Sequence, residues 1–287
     1  MSLEMLNPID HMILELGLLE DLGQQQQDVT SLLLLDQSML GSAVFRSKHP
    51  QAVIICGLHC VEYLLRRLDA ETTFHFSMQD GQWAAPDAEI LQVSAQASVL
   101  LKAERLALNL LRHLSAIATL TARYVAAVAH TQLKILDTRK TTPGLRHLEK
   151  YAVACGGGVN HRHGLYDAVM VKDTHVDLVG TMTDVLARLP ENPAIKTIVE
   201  VRNLTELETV LQLGRHKVHQ VLLDNMSLED LRQAVSACRG YYQTEASGNI
   251  RLHNIVEIAE TGVDYASVGE LTYGAGQVDL SMYTYVK

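Results

Sequence analysis

From residue 133 onward six short runs, LKILD, DAVMVK, IKTIVEV, HQVLLD, GYYQTE and VDYASVG, alternate with stretches of helical periodicity such as LTELETVLQLG, LEDLRQAVSACR and RLHNIVEIAETG. Most of these runs are nearly continuous in apolar residues, so both faces are to be buried, as in parallel strands covered by helices. Repetition of that unit restricts this half of the chain to a β/α barrel or a doubly wound sheet. The polar residues gather at one end of each run. Asp137, Thr138, Arg139 and Lys140 follow the first, Lys172 and Asp173 end the second, and Glu200 lies late in the third. Asp224 and Asn225 end the fourth, Glu245, Ser247 and Gly248 the fifth, and Gly269 and Glu270 the sixth. In β/α barrels the carboxyl-end loops converge, and active sites are built on that rim.

The first part of the chain reads differently. Asn7, Pro8 and Asp10 form a helix start, with a capping side chain, proline at the first helical position and an acid in the first turn. Ile9, Met12, Ile13 and Leu16 recur at helical spacing, and Gly17 is placed to close the helix. The glutamines 24–27 read as an expanded polar connection. Between Ser42 and Gln96 the segments SAVFRS, AVIIC, TTFHFSM and EILQVSA read as strands around the helix LHCVEYLLRRL, with a turn at Asp80-Gly81. This is a small α+β domain. A long helical stretch then opens at Ser98 and carries Arg105, which the pattern alone leaves open between a solvated helix charge and a functional arginine.

Composition narrows the function. The formal charge is −9, yet Leu136 to His175 holds six Lys and Arg against four Asp and Glu, a local inversion suited to a polyanionic ligand. Charged residues at 20% and a net acidic balance give no reason to expect nucleic acid. The longest apolar-rich stretch, Leu106 to Ala129, is broken by Arg112, His113 and Arg123, so it is a buried helix and not a membrane span. The start MSLEMLNPID lacks the pattern of a secretory signal, and a cytoplasmic protein is expected. Cys56, Cys60, Cys155 and Cys238 read as core thiols, because the Cys56-His59-Cys60 cluster has no matching second pair for a metal.

Arg139, Lys140, Arg162 and Lys172 offer planar forks for carboxylates and point charges for phosphates. Glu200 and Asp224 come from neighbouring strands; such carboxylates stabilise a cationic transition state, bind ribose hydroxyls, hold Mg²⁺ through water, or only balance the lysines. Lys172, ending an apolar strand, also fits a Schiff-base amine. Ser247-Gly248-Asn249 and Val268-Gly269-Glu270 are short loops whose backbone N–H groups suit a phosphate, whereas Gly156-Gly157-Gly158 lacks the spacing of a nucleotide-binding loop.

The segments DTRKTTPGLRHLEKYAV, GGGVNHRHGLYDAVMVKDTH, KAERLALNLLRHLSAIAT, LLDNMS, EASGNI and TGVDYASVGELTY together resemble the quinolinate phosphoribosyltransferase family, also called carboxylating nicotinate-nucleotide pyrophosphorylases. The resemblance spans nearly the whole chain. It implies an N-terminal α/β sandwich domain over 1–114, joined by the tail 275–287, and an incomplete β/α barrel over 115–274. It also implies transfer of phosphoribose from phosphoribosyl pyrophosphate to quinolinate with loss of CO₂, in a homodimer whose active sites are shared. On that basis Arg105 is similar to an arginine donated across the dimer interface to quinolinate. Arg139, His161 and Arg162 fall on positions that bind its two carboxylates, and Lys140 and Lys172 are shared with phosphoribosyl pyrophosphate. Thr138 joins the substrate-binding set. Glu200 and Asp224 match the ribose and Mg²⁺ carboxylates, and the Ser247-Gly248-Asn249 and Val268-Gly269-Glu270 loops match the 5′-phosphate cradle. Three features depart from the family pattern: a connection before Asp224 about three residues longer, the glutamine tract, and LTYG where LTHS is frequent, which puts Tyr273 in place of a histidine. None removes a cation. The alternatives of another chemistry are a pyridine-carboxylate transferase without decarboxylation, a Schiff-base aldolase using Lys172, and a non-catalytic binder of phosphorylated ligands.

Overall fold

The computed structural model describes residues 6–36 and 38–286. These described residues divide into two compact units, one within the ranges 6–120, 141–157 and 275–286, the other of residues 121–140 and 158–274.

The first unit opens with α1 (Pro8–Leu22), where Asn7 accepts from the Ile9 and Asp10 amides and Asp10 returns a bond to the Asn7 amide. This reciprocal cap satisfies donors that a helix start leaves free. Gly17 does not end the helix, which runs on to Leu22 with Gly23 (φ +66°) as its cap. Gly17 serves packing instead: a Cβ there would lie 2.8 Å from a Leu106 methyl. The glutamine tract forms the turn into α2 (Val29–Leu34), capped by Asp28.

Next come β1 (Leu40–Ser47), β2 (Val53–Ile54), α3 (Leu58–Leu68), β3 (Thr73–Phe76), β4 (Trp83–Ala84) and β5 (Glu89–Gln96). Along β1 buried residues alternate with partly open ones, the signature of a sheet covered on one face. Its sheet is antiparallel in the order β12-β1-β5-β3, where β12 (Leu280–Val286) returns from the end of the chain to pair along the free side of β1. The helix α4 (Ala97–Ala127) follows β5 directly and covers 31 residues. Cys56 and Cys60 are buried, and His59 pairs with Asp80 at 3.1 Å. Burial pushes the Cys60 thiol well above its ordinary range, so it is an inert core residue.

The second unit holds β6 (Lys134–Leu136), β7 (Val169–Val171), β8 (Thr197–Val201), β9 (Gln220–Asp224), β10 (Gln243–Ser247) and β11 (Tyr265–Ser267). All six sequence runs become strands of one parallel sheet, ordered β6-β11-β10-β9-β8-β7. The end strands β6 and β7 do not pair with each other; a parallel bridge between Leu136 and Val159 adds a short segment beside β6. The architecture is therefore an incomplete β/α barrel. Every residue of β8 is buried, as expected of a strand enclosed on both faces.

Around these strands come α5 (Arg146–Cys155), α6 (Asp173–Val179), α7 (Met182–Arg188), α8 (Leu204–Leu213), α9 (Leu228–Cys238), α10 (Ile255–Ala259) and α11 (Glu270–Tyr273). The exception in grouping is α5, which belongs to the first unit although it links the first two barrel strands. Its polar side chains explain this: His147 meets Asp10 at 2.6 Å, Glu149 meets His113 at 2.8 Å, and the Tyr151 hydroxyl donates to Asp80. Among the described residues no helix is long and apolar enough to cross a membrane.

Phe45, in the middle of β1, is one of the largest fully buried side chains. Phe45→Ala is expected to cost about 3–5 kcal/mol, read as a lower denaturant midpoint in equilibrium unfolding.

Candidate active site

A cavity of about 640 Å³ opens at the carboxyl ends of the barrel strands. Thr138, Arg139, Lys140, His161, Arg162, Lys172, Glu200, Asp224, Ser247, Gly248, Asn249 and Gly269 all line it. Thus loops distant in sequence bring together most of the residues singled out from the sequence.

The floor is held by buried carboxylates. Glu245 lies inside β10, fully buried, and not on the rim where the sequence pattern puts it. Its Oε2 accepts from the Gln220 amide and faces His161 Nε2 at 3.2 Å. The other ring nitrogen of His161, Nδ1, accepts from the Arg162 amide at 2.7 Å, so the proton resides on Nε2 and is donated to Glu245. Asp137 completes the anchorage by accepting from the His161 amide at 2.8 Å. Backbone and side chain together aim His161, and with it Arg162, at the cavity.

The Arg162 guanidinium donates to the Ala168 carbonyl at 3.2 Å, while its Nε is buried without a hydrogen-bond partner among the described residues. Burial, and then the nearby Arg139 charge, hold its pKa below the usual arginine value. It remains a cation at neutral pH. Two like charges lining one cavity, one of them with a buried free donor, are an arrangement that an anion relieves.

Lys172 precedes α6, and its Nζ meets Glu200 Oε2 at 2.7 Å. With 42% of its side chain open to solvent and a carboxylate partner, Lys172 is not the desolvated amine that Schiff-base chemistry requires. Asp224, at the end of β9, accepts from the Asn225 amide group at 2.7 Å. Among the described residues no group of three or more His, Cys, Asp and Glu side chains is arranged to hold a metal. Glu200 and Asp224 are among the carboxylates in the cavity lining.

The phosphate-type loops are fixed by glycine. Gly248 has φ +95°, and a Cβ there would lie 2.2 Å from Asn225 Oδ1; Asn225 in turn accepts from the Asn249 side chain at 3.1 Å. Gly269 is bordered by the Lys140 and Tyr273 side chains, at 3.0 and 2.9 Å from its would-be Cβ. Val268 and Glu270 do not line the cavity. Val268 is buried and its amide donates to Leu136, whereas Glu270 turns to Tyr124 and Arg251. Arg105 lies on α4 in the other unit, with 59% of its side chain exposed and Glu104 at 3.7 Å.

The sequence reading overlooked Arg251, a fifth Lys or Arg in the cavity lining. The signal was present, a basic residue two positions beyond the Ser247-Gly248-Asn249 loop, but it follows no strand directly.

Barrel, glycine loops and cationic rim together define a β/α-barrel protein built around a polyanionic ligand at its carboxyl-end face. Comparison with known proteins carries this further. The family model described as quinolinate phosphoribosyl transferase, C-terminal domain, matches residues 117–283, and that of the N-terminal domain matches residues 28–115. The chain is 39% identical over 232 residues to a probable nicotinate-nucleotide pyrophosphorylase (carboxylating) of Synechocystis, covering 80% of this chain and 78% of the relative. A Bacillus subtilis protein of the same printed name is 35% identical over 92% of this chain and 89% of its own length. Among solved structures, NadC from Streptococcus pyogenes superposes with a TM-score of 0.90 at 35% identity, covering 98% of this chain and 99% of that one. The nicotinate-nucleotide pyrophosphorylase of Francisella tularensis gives 0.89 at 34%, covering 99% and 98%. The chain belongs to the quinolinate phosphoribosyltransferase family.

Gly248→Ala forces a side chain into Asn225 at a positive φ and is expected to destabilise the protein by about 1–3 kcal/mol, measured by chemical unfolding of the purified variant.

Proposed function

We propose that this chain transfers the phosphoribosyl group of phosphoribosyl pyrophosphate to quinolinate, with loss of CO₂, to give nicotinate mononucleotide and pyrophosphate. The observation that carries the reading is the cavity lined by Arg139, Lys140, Arg162 and Lys172, with the buried Arg162 Nε unpartnered among the described residues. A planar dicarboxylate fits two guanidinium forks, and His161, locked by Glu245 and Asp137, supports the same corner. The glycine loops at Gly248 and Gly269 take the 5′-phosphate.

In this reading the ring nitrogen of quinolinate forms its bond to C1 of the ribose as the C1–O bond to pyrophosphate breaks. Positive charge grows on the sugar, and the Glu200 and Asp224 carboxylates stabilise it and bind the ribose hydroxyls. Lys172, half-exposed beside Glu200, turns to the departing pyrophosphate and leaves that carboxylate free to act. The pyridinium product then accepts the electron pair of the bond to its 2-carboxylate, CO₂ leaves, and C2 takes a proton. The protein supplies position and charge. Glu200 and Asp224 are the residues that would hold Mg²⁺ through water, and the ion would supply positive charge to the pyrophosphate leaving group.

The working form in this proposal is a cytoplasmic homodimer in which Arg105 completes the quinolinate clamp of the other subunit. Two features support self-association. Ile9, Met12, Leu16 and Leu19 are exposed on α1 while Leu14, Leu18 and Leu22 are buried, and Leu33 and Leu34 of α2 are 85% and 75% exposed. Apolar surface of that extent marks an interaction face.

Purified protein with carboxyl-labelled quinolinate, phosphoribosyl pyrophosphate and Mg²⁺ is expected to release labelled CO₂; no release from folded protein overturns the reading, as does full activity in excess chelator for the metal. Arg162→Lys, which keeps the charge and loses the fork, is expected to reduce kcat/KM for quinolinate by roughly 10- to 100-fold. For the shared site, Arg105→Ala and Lys172→Ala are each expected to be inactive, and their mixture to regain activity after dissociation and reassociation. An inactive mixture of well-folded variants would reject the sharing.

A further inference from the structure

We infer that Arg251 is a phosphate-binding residue of the ribose 5-phosphate end of the cavity, held in reserve by Glu270 and Tyr273 until a phosphorylated ligand enters. The inference deepens the functional reading above and rests on it for the orientation of the sugar.

The backbone at Arg251 is fixed before any ligand arrives. Its amide donates to Asn254 Oδ1 at 2.8 Å, and its carbonyl accepts from the Asn254 and Ile255 amides at 3.1 and 3.0 Å. The Asn254 side chain also donates to the Asn249 carbonyl, tying this turn to the glycine loop. Ile250 and Ile255, both buried, anchor the turn from beneath. Arg251 is thus presented from a rigid turn two residues beyond the Ser247-Gly248-Asn249 loop and lines the same cavity.

Its guanidinium is steered as well. Nη1 donates to the Tyr273 hydroxyl at 3.3 Å and meets Glu270 Oε1 at 3.2 Å, and the group lies 5.9 Å from the centre of the Tyr273 ring. The other Glu270 oxygen accepts from Tyr124, which fixes the carboxylate. Both contacts use one terminal nitrogen, which leaves donors of the fork for a ligand. The pair with Glu270 is partly exposed, with 38% of the Arg251 side chain open, so it is weak and gives way to a doubly charged phosphate. Tyr273 also borders Gly269 beside Lys140. Lys140 and Arg251 thus both lie in the cavity lining with Tyr273.

The test uses the whole protein and ribose 5-phosphate as the probe, titrated by calorimetry, alongside steady-state kinetics. Arg251→Gln is expected to weaken ribose 5-phosphate binding on the order of 10- to 100-fold and to raise KM for phosphoribosyl pyrophosphate in parallel. The KM for quinolinate should stay within about twofold, and Arg251→Lys should recover most of the affinity, since a point charge still serves a phosphate. Tyr273→Phe, which removes the steering hydroxyl, is expected to give a smaller loss in the same direction. Unchanged ribose 5-phosphate affinity in folded Arg251→Gln overturns the inference, and so does an equal rise in both KM values. Arg251-dependent binding in a protein that releases no CO₂ from quinolinate upholds the phosphate role while rejecting the reaction.

Discussion

The rim of the barrel crowds Arg139, Lys140, Arg162, Lys172 and Arg251 around one cavity in a chain that is acidic overall. Like charges around one cavity repel, and burial of Arg162 adds to the cost; both hold its pKa below the usual arginine value. The fold tolerates this because nearby carboxylates are distributed among the cations. Glu200 holds Lys172, Glu270 holds Arg251, and Glu245 takes the proton-bearing nitrogen of His161. Arg162 is left with an unsatisfied donor among the described residues, and the excess of cations around the cavity favours an anion.

The barrel was legible in the sequence because parallel strands buried on both faces have few ways to be written. All six apolar runs became strands, and the fully buried β8 shows why: no position on it tolerates solvent. The cap at Asn7 was legible for the opposite reason, since capping is local chemistry complete within four residues. Gly17 misled because glycine has two uses. A helix end and a close helix contact look identical in sequence, and only the Leu106 methyls at its surface distinguish them.

Site residues divide along the same line. Those attached to strand ends, such as Lys172 and Asp224, were visible because the strand pattern dates their position to a rim. Glu245 was visible as a residue and misplaced by about half a strand: it lies in the barrel interior, where its charge is used to fix His161. Arg251 was missed because its place depends on a turn built from Asn249, Asn254 and two buried isoleucines, with no periodicity to announce it. Likewise α5 has an ordinary barrel-helix pattern, and its grouping with the first unit follows from pairings with Asp10, Asp80 and His113 that no local reading contains.

The two glycine loops show how the site separates rigidity from charge. At Gly248 the backbone is locked: its positive φ and the Asn225 side chain against its α-carbon leave no room for another residue, and Asn225 couples the loop to Asp224. At Gly269 the missing side chain instead makes space for two others, Lys140 and Tyr273. One loop is therefore a fixed backbone turn, a geometry suited to holding a phosphate at little entropic cost. The other admits Lys140, a point charge on a flexible stem suited to following a charge that moves. A reaction that shifts negative charge from a ribose-bound pyrophosphate to a free one needs both properties, since a rigid cationic cage would hold the product as tightly as the substrate.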